Sequence, residues 1–501
     1  MARSSCPAAL WWLCTAGLLT AQSYSPPAGL RPPLHRAGAS ILPGGRIVTP
    51  AGEQVPAGEG PLALALSPSR KTLIVSNTAT AGNSVTVLER GKVWEVRPLS
   101  GSGGRQTLGT PAGMMPGVAY SNEHTVLVAE GGSGQIAVTD LLTGERRRTI
   151  DLNQTGFQGS FAGDLAVDTE RGVVYAADPA NQRLAVFELR SRQMPVSLRL
   201  AAVPRLINLS PDRRRLYVAL AGSQNDDAGS VGVIDVSDPS QPKLAASIQT
   251  GCCLSGIAAT ADAVYVTEAA NDAVLAIDVQ ANRVATTIPI RIPGLESLRG
   301  VLPAGLAFHR KTQWLLVAEA GINAVGVIDT AAGKVLGHIP AGWFPTRIVT
   351  DADTVFVSNL LGRESGAGLG PQLGGTVSVF DLPTAGALAS YTEAVLRNGG
   401  FVARPGPPPA LPTGIRNVVL IVKGGASFDE VLGDVTRAAE EHVMSAPRLA
   451  HLGSQGYADG ERKRLSLQRV NITPNQHAMA ERWTILDNFY AESTLENNAR
   501  Q

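Results

Sequence analysis

The sequence predicts a mainly β protein, a seven-bladed β-propeller followed by a short α/β fragment. Its 501 residues exceed the roughly 250 to 300 residues at which a single hydrophobic core stops growing. Gly (54 residues) and Pro (33 residues) are numerous enough for many turns, and charged residues make up only 17%. The decisive observation is a short alternating segment, ending in an acidic residue, that recurs through the middle of the chain.

Seven copies of this segment follow one another at spacings of 43 to 52 residues. Their final acids are Glu89, Asp140, Glu188, Asp235, Asp278, Asp329 and Asp381. Upstream lies a second β-rich segment, such as LYVAL at 216–220, and two further short strands complete each unit. Four strands in about 40 to 50 residues is the size of a propeller blade, so we expect a propeller over 61–391. On equivalent strands we expect Val85, Ala137, Ala185, Gly232, Leu275, Gly326 and Ser378.

The fourth unit carries the most specific pattern, PRLINLSPDRR at 204–214, followed by Leu-Tyr-Val and Val-Gly-Val-Ile-Asp. This pattern resembles the YVTN-type repeat of secreted bacterial propellers. The resemblance implies the fold but no activity, because propellers carry many unrelated functions.

The first 21 residues predict a cleaved export signal, because Arg3 precedes an apolar run of signal-core length at 8–19. An uncleaved membrane anchor is the alternative. A cleaved signal predicts a periplasmic or extracellular protein without a membrane span, and 22–60 is then an N-terminal extension. Cys6 and Cys14 leave with the signal, so Cys252 and Cys253 remain. Two adjacent cysteines either close a vicinal disulfide or are buried as small apolar residues.

Polar residues end most of the second strands. Because antiparallel pairing places this end beside the start of the first strand, we expect one propeller face to collect them with residues of the entering loops, including Trp343. The candidate ligand site comprises Glu130, Asp178, Arg205, Cys252, Cys253, Glu268, Glu319 and Arg347. Its carboxylates are suited to a hard cation or a cationic ligand. The alternative is a structural ring of polar residues.

After the propeller, a Pro- and Gly-rich linker is expected at 392–414 and an α/β segment at 415–501, with a buried strand at 415–423 and a helix at 436–449. The stretches VVLIVKGGASFDEVLGD and TPNQHAMAERWTILDNFYAES resemble secreted phosphoesterases of the alkaline-phosphatase-like superfamily. That resemblance implies metal-assisted ester hydrolysis.

Residues that carry the family's chemistry have changed. Gly424 and Gly425 replace the family's Glu-Asn metal ligands, and Glu496 falls near the nucleophile position. His477 and Asp487 are the best remaining polar pair. We therefore expect a degenerate segment without catalytic or metal-binding residues.

The sequence favours an exported binding or scaffold protein with an unknown small ligand or protein partner at the propeller face. Two alternatives stay open: a metal-dependent phosphoesterase whose catalytic domain is truncated or completed elsewhere, and a propeller redox protein that uses the vicinal cysteines beside a cofactor in the channel. The cofactor is unknown, and a divalent metal is implied only by the phosphoesterase alternative. The net charge of +1 argues against nucleic-acid binding, which needs a basic surface.

Overall fold

The computed structural model describes residues 24, 27, 34–36, 38–42, 44–79, 82–89, 95–98, 117–191, 193–221, 229–363, 374–401, 419, 426–438, 441–459, 466–483 and 485. The predicted export signal, Gly424, Gly425, Asp487 and Glu496 lie outside the described residues.

Within the described residues, seven four-stranded antiparallel sheets form the blades of a propeller. We call the strands of each blade A to D. In blades 1 to 4 they are Pro61–Leu66, Thr72–Ala79, Gly82–Glu89, Glu95–Pro98; Val118–Tyr120, Thr125–Ala129, Gln135–Asp140, Arg146–Asp151; Leu165–Asp168, Val173–Asp178, Arg183–Glu188, Val196–Arg199; Val203–Leu209, Arg215–Ala221, Gly229–Asp235, Lys243–Thr250. In blades 5 to 7 they are Leu254–Ala259, Ala263–Glu268, Ala273–Asp278, Arg283–Pro289; Pro303–His309, Trp314–Glu319, Ala324–Asp329, Lys334–Pro340; Pro345–Asp351, Thr354–Arg363, Gly374–Asp381, Glu53–Glu59.

The predicted blade count is confirmed, and the seven residues expected on equivalent strands all lie on strand C. The acids that end strand C are explained by the turn that follows. Asp140, Asp278 and Asp329 each accept a backbone hydrogen bond from the residue two positions later, at 2.7 to 2.9 Å. Asp is favoured at such positions because its short side chain reaches the backbone of the turn.

The N-terminal region completes the seventh blade, which the sequence analysis did not anticipate. Strand Glu53–Glu59 pairs with strand C of blade 7 and opposes Val55 to Val377. The propeller therefore runs from residue 53 to 381 instead of 61–391. The segment EQVPAGE does not show the alternating apolar pattern of a strand, because an outer strand tolerates Pro and a polar outer face. Its buried apolar residue is Val55.

The hydrophobic core lies between neighbouring blades. One apolar cluster combines Val218 and Leu220 of blade 4 with Tyr175 and Val186 of blade 3, and comparable clusters occupy the other blade interfaces. Strand B is buried on both of its faces, as at Val173–Asp178. This double burial explains why strand B reads as a nearly continuous apolar run in the sequence.

A helix packs beside blade 6 where a linker was expected to begin. Leu388–Gly399 buries Leu388 and Val395, and Tyr24 donates a 3.0 Å hydrogen bond to the carbonyl of Gly399. The expected linker 392–414 therefore starts within a helix. Shorter elements are the sheet Leu34–Arg36, Ala39–Ile41 and Ile47–Val48, and the 3₁₀ turns Pro179–Asn181, Ala269–Asn271, Ala320–Ile322 and Ala385–Ala387.

The C-terminal part forms a small core of its own from Val435, Ala438, Val443 and Ala480. Its elements are helices Phe428–Leu432 and Pro474–Arg482, the hairpins Arg437–Ala438 with Glu441–His442 and Gly456–Asp459 with Ser466–Val470, and the 3₁₀ turn Pro447–Leu449. The expected helix at 436–449 is wrong, because tertiary burial of Ala438 and Val443 selects a hairpin there. Within the predicted strand at 415–423 the structure describes Val419. This residue is exposed and has no regular secondary structure.

Candidate functional site

The candidate site lies where the innermost strands begin. Strand A of every blade contacts strand A of both neighbouring blades, so seven A strands surround the axis. The start of strand A pairs with the end of strand B, as Val203 does with Ala221 and Pro345 with Asn359. We call this end of the propeller the axial face.

A turn of shared geometry precedes strand A in four blades. Its last residue has a left-handed backbone, with φ of 64° at Gly60, 64° at Cys253, 54° at Leu302 and 61° at Phe344. In three blades its carbonyl accepts a hydrogen bond from the residue after the polar end of strand B, with the donor–acceptor pairs Ala269 to Cys253 (3.2 Å), Ala320 to Leu302 (3.1 Å) and Leu360 to Phe344 (2.9 Å). The propeller itself therefore imposes a conformation that non-glycine residues seldom adopt.

Two of the predicted carboxylates hold the turn before strand A of their own blade. Glu268, which is 5% exposed, accepts a hydrogen bond from the Gly251 backbone. Asp178 is fully buried and accepts hydrogen bonds from the Phe161 backbone at 2.9 Å and from Arg183 Nε at 2.8 Å. These contacts match the structural alternative for both residues, since they satisfy buried groups within one blade.

The other two predicted carboxylates reach strand D of their own blades. Glu130 forms an ion pair with Arg146. Glu319 lies 2.7 Å from Nδ1 of the buried His338. Burial alone lowers the pKa of His338, but the charge and hydrogen bond of Glu319 raise it above its ordinary value. The raised pKa favours the imidazolium form of His338 beside Glu319.

Arg347, in contrast, faces a charged partner near the axis. Burial lowers its pKa, and the charge of Asp164 opposes that effect. Burial likewise raises the pKa of Asp164, against the attraction of Arg347 and a 3.0 Å hydrogen bond from the Ile207 backbone. Asp164 precedes strand A of blade 3, so this charge pair links blades 3 and 7 at the axial face. Asp164 was not predicted as a site residue, because it precedes strand A and the predicted carboxylates all lie at the ends of strand B.

Arg205 and Cys253 meet at the same face. Arg205 is the extra residue of a bulge between Pro204 and Leu206. The matching hydroxyls in two other blades, Ser255 and Thr346, donate hydrogen bonds to the first residue of the next strand A. Arg205 occupies the equivalent position of blade 4 and interacts electrostatically with Cys253, which precedes strand A of blade 5. Burial lowers the pKa of Arg205, and its electrostatic interaction with Cys253 opposes that effect.

The phosphoesterase-like residues contact one another instead of converging on an open position. Asp434 Oδ1 lies 2.7 Å from His477 Nε2, and its second oxygen accepts a 2.7 Å hydrogen bond from the Ser454 backbone. Ser427 caps the helix Phe428–Leu432 through the backbone of Glu430. The structure thus pairs His477 with Asp434, which the sequence analysis did not consider. Among the described residues, no group of three or more His, Cys, Asp or Glu side chains is arranged to hold a metal ion.

A separate cleft of roughly 660 Å³ lies at the outer edge of the propeller, between strands D of blades 5 and 6 and the helix Leu388–Gly399. Arg291, Glu296, Lys334 and Glu393 line it. Because this lining mixes positive and negative side chains, it points to no particular class of ligand, and we assign no function to the cleft. No helix in the described part of the chain is long and apolar enough to cross a membrane.

Comparisons with known proteins support the fold. No protein-family model matches the chain, and no curated protein matches it. The solved structure of Kuenenia stuttgartiensis hydrazine synthase is similar, with a TM-score of 0.51 and 17% sequence identity over 64% of this chain and 95% of that chain. A similarity at this identity shows the shared fold and assigns no activity.

Proposed function

We propose that this protein is an exported β-propeller binding protein whose axial face binds a small anionic ligand. Its phosphoesterase-like segment has no catalytic activity of its own in this proposal. The observation that carries the proposal is the pair of half-buried guanidiniums, Arg205 and Arg347, on strands A around the axis. Charged donors in such enclosed positions bind carboxylate or phosphate groups strongly, because water screens them less than at an open surface.

The carboxylates that suggested a cation are engaged within their own blades, which favours an anion as the ligand. Glu130 pairs with Arg146 and Glu319 with His338 in their own blades, and Asp178 pairs with Arg183. The charge of Asp164 acts on Arg347. The four predicted carboxylates then support the turns and strands that surround the ligand, while Arg205, Arg347, Cys252 and Cys253 face it.

The phosphoesterase alternative receives no specific support. Asp434 and His477 are bound to each other, and Ser427 caps a helix. Hydrolysis of a phosphate ester needs a positioned nucleophile and an ion or cationic group at the phosphate.

Calorimetric titration of the purified chain tests the proposal, with inorganic phosphate, a phosphate monoester and a dicarboxylate as probes and CaCl₂ as the cation probe. We expect at least one anion to bind, and Arg205→Met to weaken it at least tenfold. Arg397→Met is the matched control, because Arg397 lies on the exposed face of a helix. Calcium binding that Glu268→Ala abolishes, without anion binding, would refute the proposal in favour of the cation site.

A further inference from the structure

The two adjacent cysteines of blade 5 have their sulfurs in contact. Consecutive side chains of an extended chain point to opposite sides, yet the Sγ atoms of Cys252 and Cys253 lie 2.7 Å apart. Cys253 has a left-handed backbone, with φ of 64°. Leu302 and Phe344 have the same backbone at the equivalent positions of blades 6 and 7, so the propeller fixes this turn without any bond between sulfurs.

The turn is also held at both ends. The Gly251 backbone donates to the Glu268 carboxylate, and the Ala269 backbone donates to the Cys253 carbonyl at 3.2 Å. A Cβ atom at Gly251 would lie 2.5 Å from Glu268 Oε1, so glycine lets the backbone approach this carboxylate closely. The sulfurs are therefore brought together before any reaction, which removes most of the cost of ordering them.

Accessibility and charge distinguish the two thiols. Cys253 is exposed, whereas Cys252 is half-buried. Arg205 lies close enough to Cys253 for its charge to act on the thiol. A neighbouring cation favours the thiolate, which is the nucleophile in thiol chemistry. An exposed thiol near a cation, beside a half-buried thiol, is the arrangement of an attacking and a resolving cysteine.

We propose that Cys252 and Cys253 form a redox-active dithiol that exchanges with low-molecular-weight disulfides at the axial face. The Cys253 thiolate attacks one sulfur of a disulfide RSSR, forms a mixed disulfide and releases RS⁻, which takes up the proton lost by Cys253. The Cys252 thiolate then attacks Cys253 Sγ, closes the vicinal disulfide and releases the second RS⁻, which takes up the proton lost by Cys252. Two protein thiols are oxidised by two electrons, and one disulfide is reduced to two thiols.

Equilibration of the full chain in reduced and oxidised glutathione tests this site. After alkylation and tryptic digestion, peptide 244–283 contains both cysteines. We expect a single transition between a doubly alkylated peptide and an unalkylated peptide lacking two hydrogens. Cys252→Ser should stop at a glutathione adduct on Cys253. Two thiols that stay alkylatable in excess oxidised glutathione, or disulfides formed only between chains, would overturn the proposal.

The role of Arg205 has an independent readout. We expect Arg205→Met to slow iodoacetamide alkylation of Cys253 at pH 7 at least fivefold, because the thiolate fraction falls, and Arg397→Met to leave it unchanged. An unchanged rate in Arg205→Met would remove Arg205 from the site. This redox chemistry does not depend on anion binding, so either proposal can fail without the other.

Discussion

Replacing Arg183 by Met tests whether the acid at the end of strand B in blade 3 is structural. Arg183 and Asp178 are both fully buried, with Nε and Oδ2 2.8 Å apart. Arg183 also donates to Ser197 Oγ at 2.8 Å and lies over the Phe157 ring at 4.1 Å. Methionine fills most of the same volume but leaves Asp178 without its cation.

The expected loss of unfolding free energy is about 3 to 5 kcal/mol, the cost of leaving one charge of a buried pair without its partner. The double variant Asp178→Asn/Arg183→Met should recover part of that loss, because it buries no unpaired charge. Arg397→Met is the control. The Arg397–Glu393 pair has side chains 64% and 70% exposed, and exposed pairs contribute about 1 kcal/mol at most.

Denaturant unfolding followed by tryptophan fluorescence measures these differences, with Trp314 and Trp343 as reporters inside the propeller. If Arg183→Met unfolds within about 1 kcal/mol of the control, the pair is not structural. Asp178 would then again be available as a ligand of the axial face.

Further predictions concern close packing, closure, pH and catalysis. Gly305→Ala should lower stability by about 1 to 3 kcal/mol, because its Cβ would lie 2.5 Å from the Thr346 carbonyl oxygen, whereas Gly386→Ala meets no atom within 4 Å and should be neutral; unfolding curves compare the two. Removing residues 1–59 should lower the Tm and promote association, because blade 7 loses its outer strand and exposes an edge; an unchanged Tm would show that this strand does not close the propeller. Burial alone would raise the pKa of Asp434, but hydrogen bonds from Ser454 and His477 lower it from the ordinary 3.8 to about 2. The stabilisation that this carboxylate contributes is therefore lost as pH falls toward 2. Burial alone would lower the pKa of His477, but hydrogen bonds and the Asp434 charge raise it above 6.5, so its stabilisation is lost as pH rises through that pKa. Hydrogen exchange of 434–477, corrected for intrinsic rates, should therefore be slowest between about pH 4 and 6.5. The isolated chain should not hydrolyse a generic phosphate ester with or without divalent metal, and chelator-sensitive turnover that is lost in Ser427→Ala would contradict this.

Local patterns were sufficient to predict the blades. Alternating residues identify a strand and an acid at its end identifies the turn, and both signals lie within a few neighbouring residues. Asp278 is an example, because its carboxylate holds the backbone of Gln280. Repetition then gave the number of blades, since each unit needs neighbours on both sides to bury its apolar faces.

The tertiary structure decided which distant residues meet. No local pattern shows that Val55 pairs with Val377, that Glu319 binds His338, or that Asp164 attracts Arg347. The direction of each carboxylate also depends on such partners, because a buried charge turns toward the nearest compensating group. The sequence alone therefore determined the repeat and its strands, whereas closure of the propeller and the partners of the charged residues at its axial face depend on contacts between residues far apart in the chain.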